Sequence, residues 1–157
     1  MEQRKERGDG AGEPVDDEFP DHLFRWADAV SRRLSHEIRA DAPARLQSLG
    51  GRRSRLLQMI SPSGMSVTGL AHRAGVSKQA IGQLVDTLEE IGLVESAPST
   101  SDRRVRWVRR TEAGERTVAE TMTMIASAED RLRREVGEER YDSMVATMRE
   151  LSRDVRW

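Results

Sequence analysis

Residues 68–111 read TGLAHRAGVSKQAIGQLVDTLEEIGLVESAPSTSDRRVRWVRRT. Val67, Leu70, Ala71 and Ala74 recur at helical spacing, and Gly75 follows with a backbone free to adopt positive φ. The spacing predicts a short helix that stops there, with Val76 plugging back into the core. Ser77 stands where an N-cap belongs, its hydroxyl able to accept from the amide of Gln79 or Ala80. A second helix then buries Ala80, Ile81, Leu84, Val85 and Leu88, which turns Lys78, Gln79, Gly82, Gln83 and Asp86 outward. Gly92 suits the position just past its end. Leu93 and Val94 begin an extended run that breaks over residues 97–102, and residues 103–110 return as a second strand.

Two helices joined at a steep angle by a short glycine-bearing turn form a helix-turn-helix, a motif whose second helix enters the DNA major groove by its N-terminal end. The outward residues have the matching chemistry. Glutamine can bond adenine bidentately, lysine can reach guanine or phosphate, and Gly82 permits a close backbone approach. Arg103, Arg104, Arg106, Arg109 and Arg110 place five guanidinium groups in the hairpin, opposed locally only by Asp102. Taken alone, such a run is as well read as a solvated strand face. Beside a helix-turn-helix it becomes a wing able to reach phosphates or the flanking minor groove. The candidate DNA contacts are therefore Ser77, Lys78, Gln79 and Gln83 on the helix and Arg103, Arg104 and Arg106 on the wing.

Residues 68–114 resemble the winged helix of the MarR family of bacterial transcription regulators, through LA..AGVS, LVDTLEEIGLV, and DRR followed by T.AG. The resemblance implies that Asp102 and Arg104 form the family's D-x-R pair, with the carboxylate buttressing the hairpin and Arg103 near its tip. It also implies an obligate homodimer and, often, a small-molecule effector. Three positions depart from the family's habit. Arg110 replaces an apolar residue, which implies either a different packing of the return strand or an extra phosphate contact, while Gly82 and Gln83 replace the frequent Ser or Thr and Arg and weaken the contacts expected of the helix.

The net charge is only −1, but residues 52–110 hold ten Lys/Arg against five Asp/Glu. The basic excess thus sits where DNA contact is expected. Residues 1–18 carry three basic and seven acidic groups with almost no apolar residue, and read as a disordered tail ill suited to DNA. No stretch approaches a membrane span or a signal core, so a soluble cytoplasmic protein is expected. With no cysteine, disulfides, Cys-based zinc sites and thiol redox switches are excluded. Arginine far outnumbers lysine, which hints at a GC-rich bacterial genome.

The expected fold is mainly α with a small β wing: a tail at 1–18, an N-terminal dimerisation helix and connector at 19–51, a winged helix-turn-helix at 52–111, and C-terminal dimerisation helices at 112–157. Leu23, Trp26, Ala27, Val30, Leu34 and Ile38 step by threes and fours across residues 20–39. Residues 52–60 should form a helix with Leu56, Leu57, Met59 and Ile60 inward, and Met65-Ser66 could pair with the wing as a third strand. Past Thr111, an N-cap, the seam Val118, Met122, Ile125, Glu129, Leu132 and Val136 suits a coiled-coil-like partner, apart from Glu129. After Gly137, Tyr141, Met144, Val145, Met148, Leu151 and Val155 line a last helix. First and last helices carry more apolar surface than a small winged core can cover, which calls for a second copy related by a two-fold axis.

Met122, Met124, Met144 and Met148 could repack around an effector, though such residues are more often core. Trp26 could line a cleft between dimer helices and winged domain, and Trp107 could pin the wing. His22, His36 and His72 lack metal-ligand spacing, and no nucleophile motif, P-loop or H-E-x-x-H occurs, so no cofactor, metal or catalytic group is expected. The reading is a homodimeric regulator on pseudo-palindromic double-stranded DNA, with repression by occlusion favoured. Its rival is a winged-helix module that docks an acidic protein partner and never touches DNA.

Overall fold

A computed structural model describes residues 21–99 and 102–153. The acidic tail at 1–18, Thr100 and Ser101 in the wing, and Val155 lie outside these residues. In chain order the elements are α1 (Leu23–Ala40), α2 (Ala44–Leu49), α3 (Gly51–Met59), β1 (Met65–Ser66), α4 (Val67–Ala74), α5 (Lys78–Glu90), β2 (Val94–Pro98), β3 (Arg106–Arg110), α6 (Glu112–Val136) and α7 (Glu138–Leu151). This is the mainly helical fold with a small wing that the sequence predicts.

Twelve buried apolar residues hold the winged unit together. Leu49, Leu56, Leu57 and Ile60 meet Val67, Leu70 and Ala71 of α4 and Ile81, Val85 and Leu88 of α5, and Val94 and Val108 close the cluster from the sheet. Each large side chain so enclosed contributes about 1.5–3 kcal/mol relative to exposure. Ala80 and Leu84 sit at the margin of the predicted stripe and are only partly buried. Val76 does not plug the core. It is 48% exposed, because Gly75 at φ 66 turns the chain outward before α5 begins.

The sheet order is β1-β3-β2, all antiparallel, so β3 is the central strand and Met65 faces Val108 in register. The third strand is there. The return strand, however, begins at Arg106 rather than Arg103, since residues 103–105 are consumed by the turn. Trp107 does pin the wing: its Nε1 donates to the Ser63 carbonyl at 3.3 Å, above Gly64, where a Cβ would lie 2.5 Å from that nitrogen.

The flanking helices differ more from expectation. Leu46 and Leu49 belong to a six-residue helix between α1 and α3. On α6 the face turned to the rest of the chain is Gly114, Thr117, Thr121, Ala128 and Leu132, while Met122 is 50% exposed and Glu129 lies in solvent. The predicted seam runs through the larger apolar residues. That seam was expected to meet a partner helix; small residues line the face turned inward because they let neighbouring elements approach α6 closely, and Thr117 and Thr121 satisfy their hydroxyls on the carbonyls four residues back. Ion pairs register α1 against α6: Arg33 with Glu135, and Arg131 with Glu37 and with Asp41 at the end of α1. Neither α1 nor α7 has a buried residue. Leu23, Phe24 and Leu151 are more than 70% exposed.

Candidate nucleic-acid interface

Capping places the reading helix. The Ser66 side chain accepts from the Gly69 amide and starts α4, and Gly75 in the left-handed region ends it. Two residues later the Ser77 hydroxyl accepts from the Ala80 amide at 3.2 Å and opens α5. An N-cap of this kind is worth about 1 kcal/mol. Behind this start the buried stripe of Ile81, Val85 and Leu88 fixes the rotation of the helix, so that Lys78, Gln79 and Gln83 stand exposed. Their side chains make no hydrogen bond or ion pair within the described chain.

The wing arginines divide into two groups. Arg103 and Arg104 lie in the turn with exposed guanidinium groups and no side-chain partner among the described residues. Asp102 organises that turn through the backbone: its carboxylate accepts from the Arg104 amide at 2.9 Å and its carbonyl from the Val105 amide at 2.9 Å. The buttress is therefore a capped turn and not a carboxylate-guanidinium pair. Arg109 is paired with Glu95 across the strands at 2.6 Å. Arg110, whose side chain is 7% exposed, binds Glu115 at 2.9 Å and the Leu57 carbonyl at 3.3 Å. It closes the seam between wing and α6, so of the two alternatives the different packing of the return strand is the one seen, not the phosphate contact.

Arg106 also turns inward. Its Nε donates to the Ser96 hydroxyl at 2.8 Å, one terminal nitrogen to Asp86 at 2.6 Å and the other to Glu89 at 2.5 Å. Ser96 in turn donates its hydroxyl and amide to Glu89 at 2.8 and 2.9 Å. All three nitrogens of the guanidinium are engaged, two of them in holding the wing to α5 and one on β2. Asp86, Glu89 and Ser96 escape sequence reasoning because their meeting point spans three elements, though two carboxylates at i and i+3 opposite a basic strand are a usable signal.

Burial alone would raise the Glu89 carboxyl, but the hydrogen bonds from Ser96 and Arg106 outweigh it and hold the group below its ordinary 4.5. Burial likewise disfavours the Arg106 charge, and the bonds to Asp86 and Glu89 reverse this. A depressed folded value means that the stabilisation is complete above 4.5 and is lost as pH falls through the lower folded value. The Ser96 amide proton, titrated by NMR, is thus expected to show a midpoint below 4.5, which Arg106→Lys moves upward. A wild-type midpoint at or above 4.5 would contradict the closed network.

The remaining candidates scatter. A cleft of about 160 Å³ opens between α1, α2, α3 and α6, lined in part by Ile38, Leu46, Met124, Ile125 and the arginines 39 and 55. Met144 and Met148 instead line an open groove with Leu23, so the four methionines do not converge. Trp26 is half exposed, carries Arg25 over its ring at 4.9 Å, and bonds Asp21 rather than lining the cleft. His22 caps α1 by accepting from the Arg25 amide. Among the described residues no group of three or more His, Cys, Asp or Glu is placed to hold a metal, and no helix is long and apolar enough to cross a membrane.

Residues 47–105 match the model of the MarR family. The chain is similar in fold to MarR from E. coli in its reduced form, at 17% identity, covering 85% of this chain and 98% of that one with a TM-score of 0.72. It is also similar to the transcriptional repressor CouR bound to a 23-mer DNA duplex, at 24% identity, 83% and 92% coverage and a TM-score of 0.71. CouR from Rhodococcus jostii RHA1 bound to p-coumaroyl-CoA matches at 21% identity, 86% and 94% coverage and a TM-score of 0.64. The family resemblance read from the sequence is borne out over the winged helix, and the family and these neighbours are transcriptional regulators, not enzymes.

Proposed function

We propose that this chain, whose residues 47–105 match the MarR family, is a sequence-specific double-stranded DNA-binding regulator that acts as a homodimer. The observation that carries the reading is the division of cations. Arg106, Arg109 and Arg110 are consumed by internal pairs, whereas Lys78, Arg103 and Arg104 remain exposed and, among the described residues, unpaired at the start of the recognition helix and in the wing turn. Free guanidinium and ammonium groups flanking two free glutamines form a phosphate-positioning and base-reading set. Gln79 and Gln83 read base edges, Lys78 and the Ser77 hydroxyl reach bases or the nearest phosphates, and Arg103 and Arg104 take the wing contacts. Arg106 is a positioning residue, and Asp102 shapes the turn that presents its two neighbours.

The uncovered apolar residues of α1 and α7 support a second copy as their occupant, and a two-fold axis would set two recognition helices about 34 Å apart, one turn of DNA. The cleft between α1, α2, α3 and α6 joins the dimerisation helices to the winged unit, so a small molecule seated there could bias the angle between them. Repression by occlusion of a promoter, in the cytoplasm, is the outcome this arrangement favours.

Fluorescence anisotropy of the protein against duplex from its own upstream region and against scrambled duplex, at two salt concentrations, tests the reading. Tighter binding upstream, steep weakening with salt and saturation at two chains per site are expected. Equal or absent binding would overturn autoregulatory DNA recognition and favour an acidic protein as the partner of the wing.

A further inference from the structure

Every described glycine but Gly51 and Gly82 has a conformational or packing reason within the chain. Gly50, Gly64, Gly75, Gly92 and Gly137 have positive φ. A Cβ added at Gly114 or Gly69 would lie 2.0 or 3.1 Å from its nearest neighbouring atom, and Gly51 merely opens α3. Gly82 lies inside α5 with no positive φ, and a Cβ there would meet nothing within 4 Å. Glycine in a helix interior loses stability relative to alanine, so the fold alone disfavours the residue at this position. Its neighbours one turn back on the helix surface are Lys78 and Gln79, and Gln83 follows it, all exposed and unpaired among the described residues. The space beside Gly82 therefore opens onto the face that carries the free base-reading side chains.

We infer that Gly82 is where a base pair comes closest to the recognition helix, seating the 5-methyl group of a thymine against its Cα while Gln79 bonds the adenine of an A·T pair. Glutamine pairs bidentately with adenine N6 and N7, and the methyl group is the one apolar feature that an A·T pair offers in the major groove. A Cβ at residue 82 would occupy the volume of that methyl. The inference rests on the DNA-binding reading and specifies what is read.

The test starts from a duplex selected by the wild-type protein from a randomised pool, then compares wild type and Gly82→Ala on it and on versions with deoxyuridine replacing each thymine in turn. Gly82→Ala is expected to raise the melting temperature by about 2–4 °C, showing an intact fold. It is expected to bind the thymine duplex about tenfold more weakly, and to recover most of that loss when one thymine per half-site loses its methyl. Undiminished binding by Gly82→Ala, a selected site without an A·T pair in each half, or a loss that no deoxyuridine relieves would overturn the inference while leaving DNA recognition standing. Failure of the wild type to select any sequence would overturn DNA recognition first, and this inference with it.

Discussion

Gly114→Ala is expected to destabilise the fold by about 3 kcal/mol, the upper end of what overpacking costs, and to lower the melting temperature by about 10 °C. In most helices this exchange gains stability, because alanine loses less backbone entropy. Here an added Cβ would lie 2.0 Å from the Leu93 carbonyl oxygen and 3.3 Å from the Arg110 Cβ. The carbonyl cannot move aside cheaply, since it accepts from the Thr111 amide at 3.1 Å and its own residue's amide donates to Leu88 at 2.9 Å. Nor can the helix start retreat: the Thr111 hydroxyl accepts from the Gly114 amide and donates to the Gly92 carbonyl at 2.7 Å. The end of the recognition helix, the first wing strand and the start of α6 are thus nailed together at one glycine. Urea denaturation of Gly114→Ala beside Gly82→Ala checks the argument, because the same chemical change should carry opposite signs. A neutral or stabilising Gly114→Ala would mean that α6 is not seated against Leu93.

The contrast between these glycines marks what sequence could and could not disclose. Local signals were legible: the Ser77 cap, the Gly75 turn and the N-cap at Thr111 depend on neighbours within four residues and appear as read, and the stripe of α5 holds at Ile81, Val85 and Leu88. Pairing across elements was not legible. Arg106 looks like its free neighbours in sequence, and only the β2–β3 register, with Pro98 opposite Arg106, brings it over Ser96, Glu89 and Asp86. The face that α6 turns to its own chain was illegible for a related reason. Hydrophobicity marks residues that prefer burial, whereas a close approach between backbones selects small ones, and Gly114, Thr117, Thr121 and Ala128 carry little apolar signal. The larger apolar residues left outside, Met122 on α6 with Leu23, Phe24 and Leu151 on the outer helices, are those that the single chain leaves uncovered.

The largest effect on function is expected at the wing tip, where Arg103→Ala with Arg104→Ala should weaken DNA binding about 10³-fold at about 0.15 M salt. The magnitude follows from counterion release. Each phosphate neutralised on B-DNA contributes about 0.9 to the slope of log affinity against log salt, so four guanidinium groups in a dimer contribute about 3.6. Both arginines end in solvent, and neither has an internal pair to break among the described residues, so the double variant should melt at the wild-type temperature. Two further variants separate contact from scaffolding. Arg109→Ala removes an equally basic side chain that is already neutralised by Glu95, and should change the slope far less. Arg106→Lys keeps the charge but cannot span Ser96, Asp86 and Glu89 together, so it should weaken binding by misplacing the wing with the slope unchanged. Anisotropy titrations of the four proteins over a range of salt concentrations read both quantities at once. If Arg109→Ala flattens the slope as much as the loss of Arg103 and Arg104, the internal pairing does not decide which wing cations meet DNA, and the assignment of the contact to the turn fails.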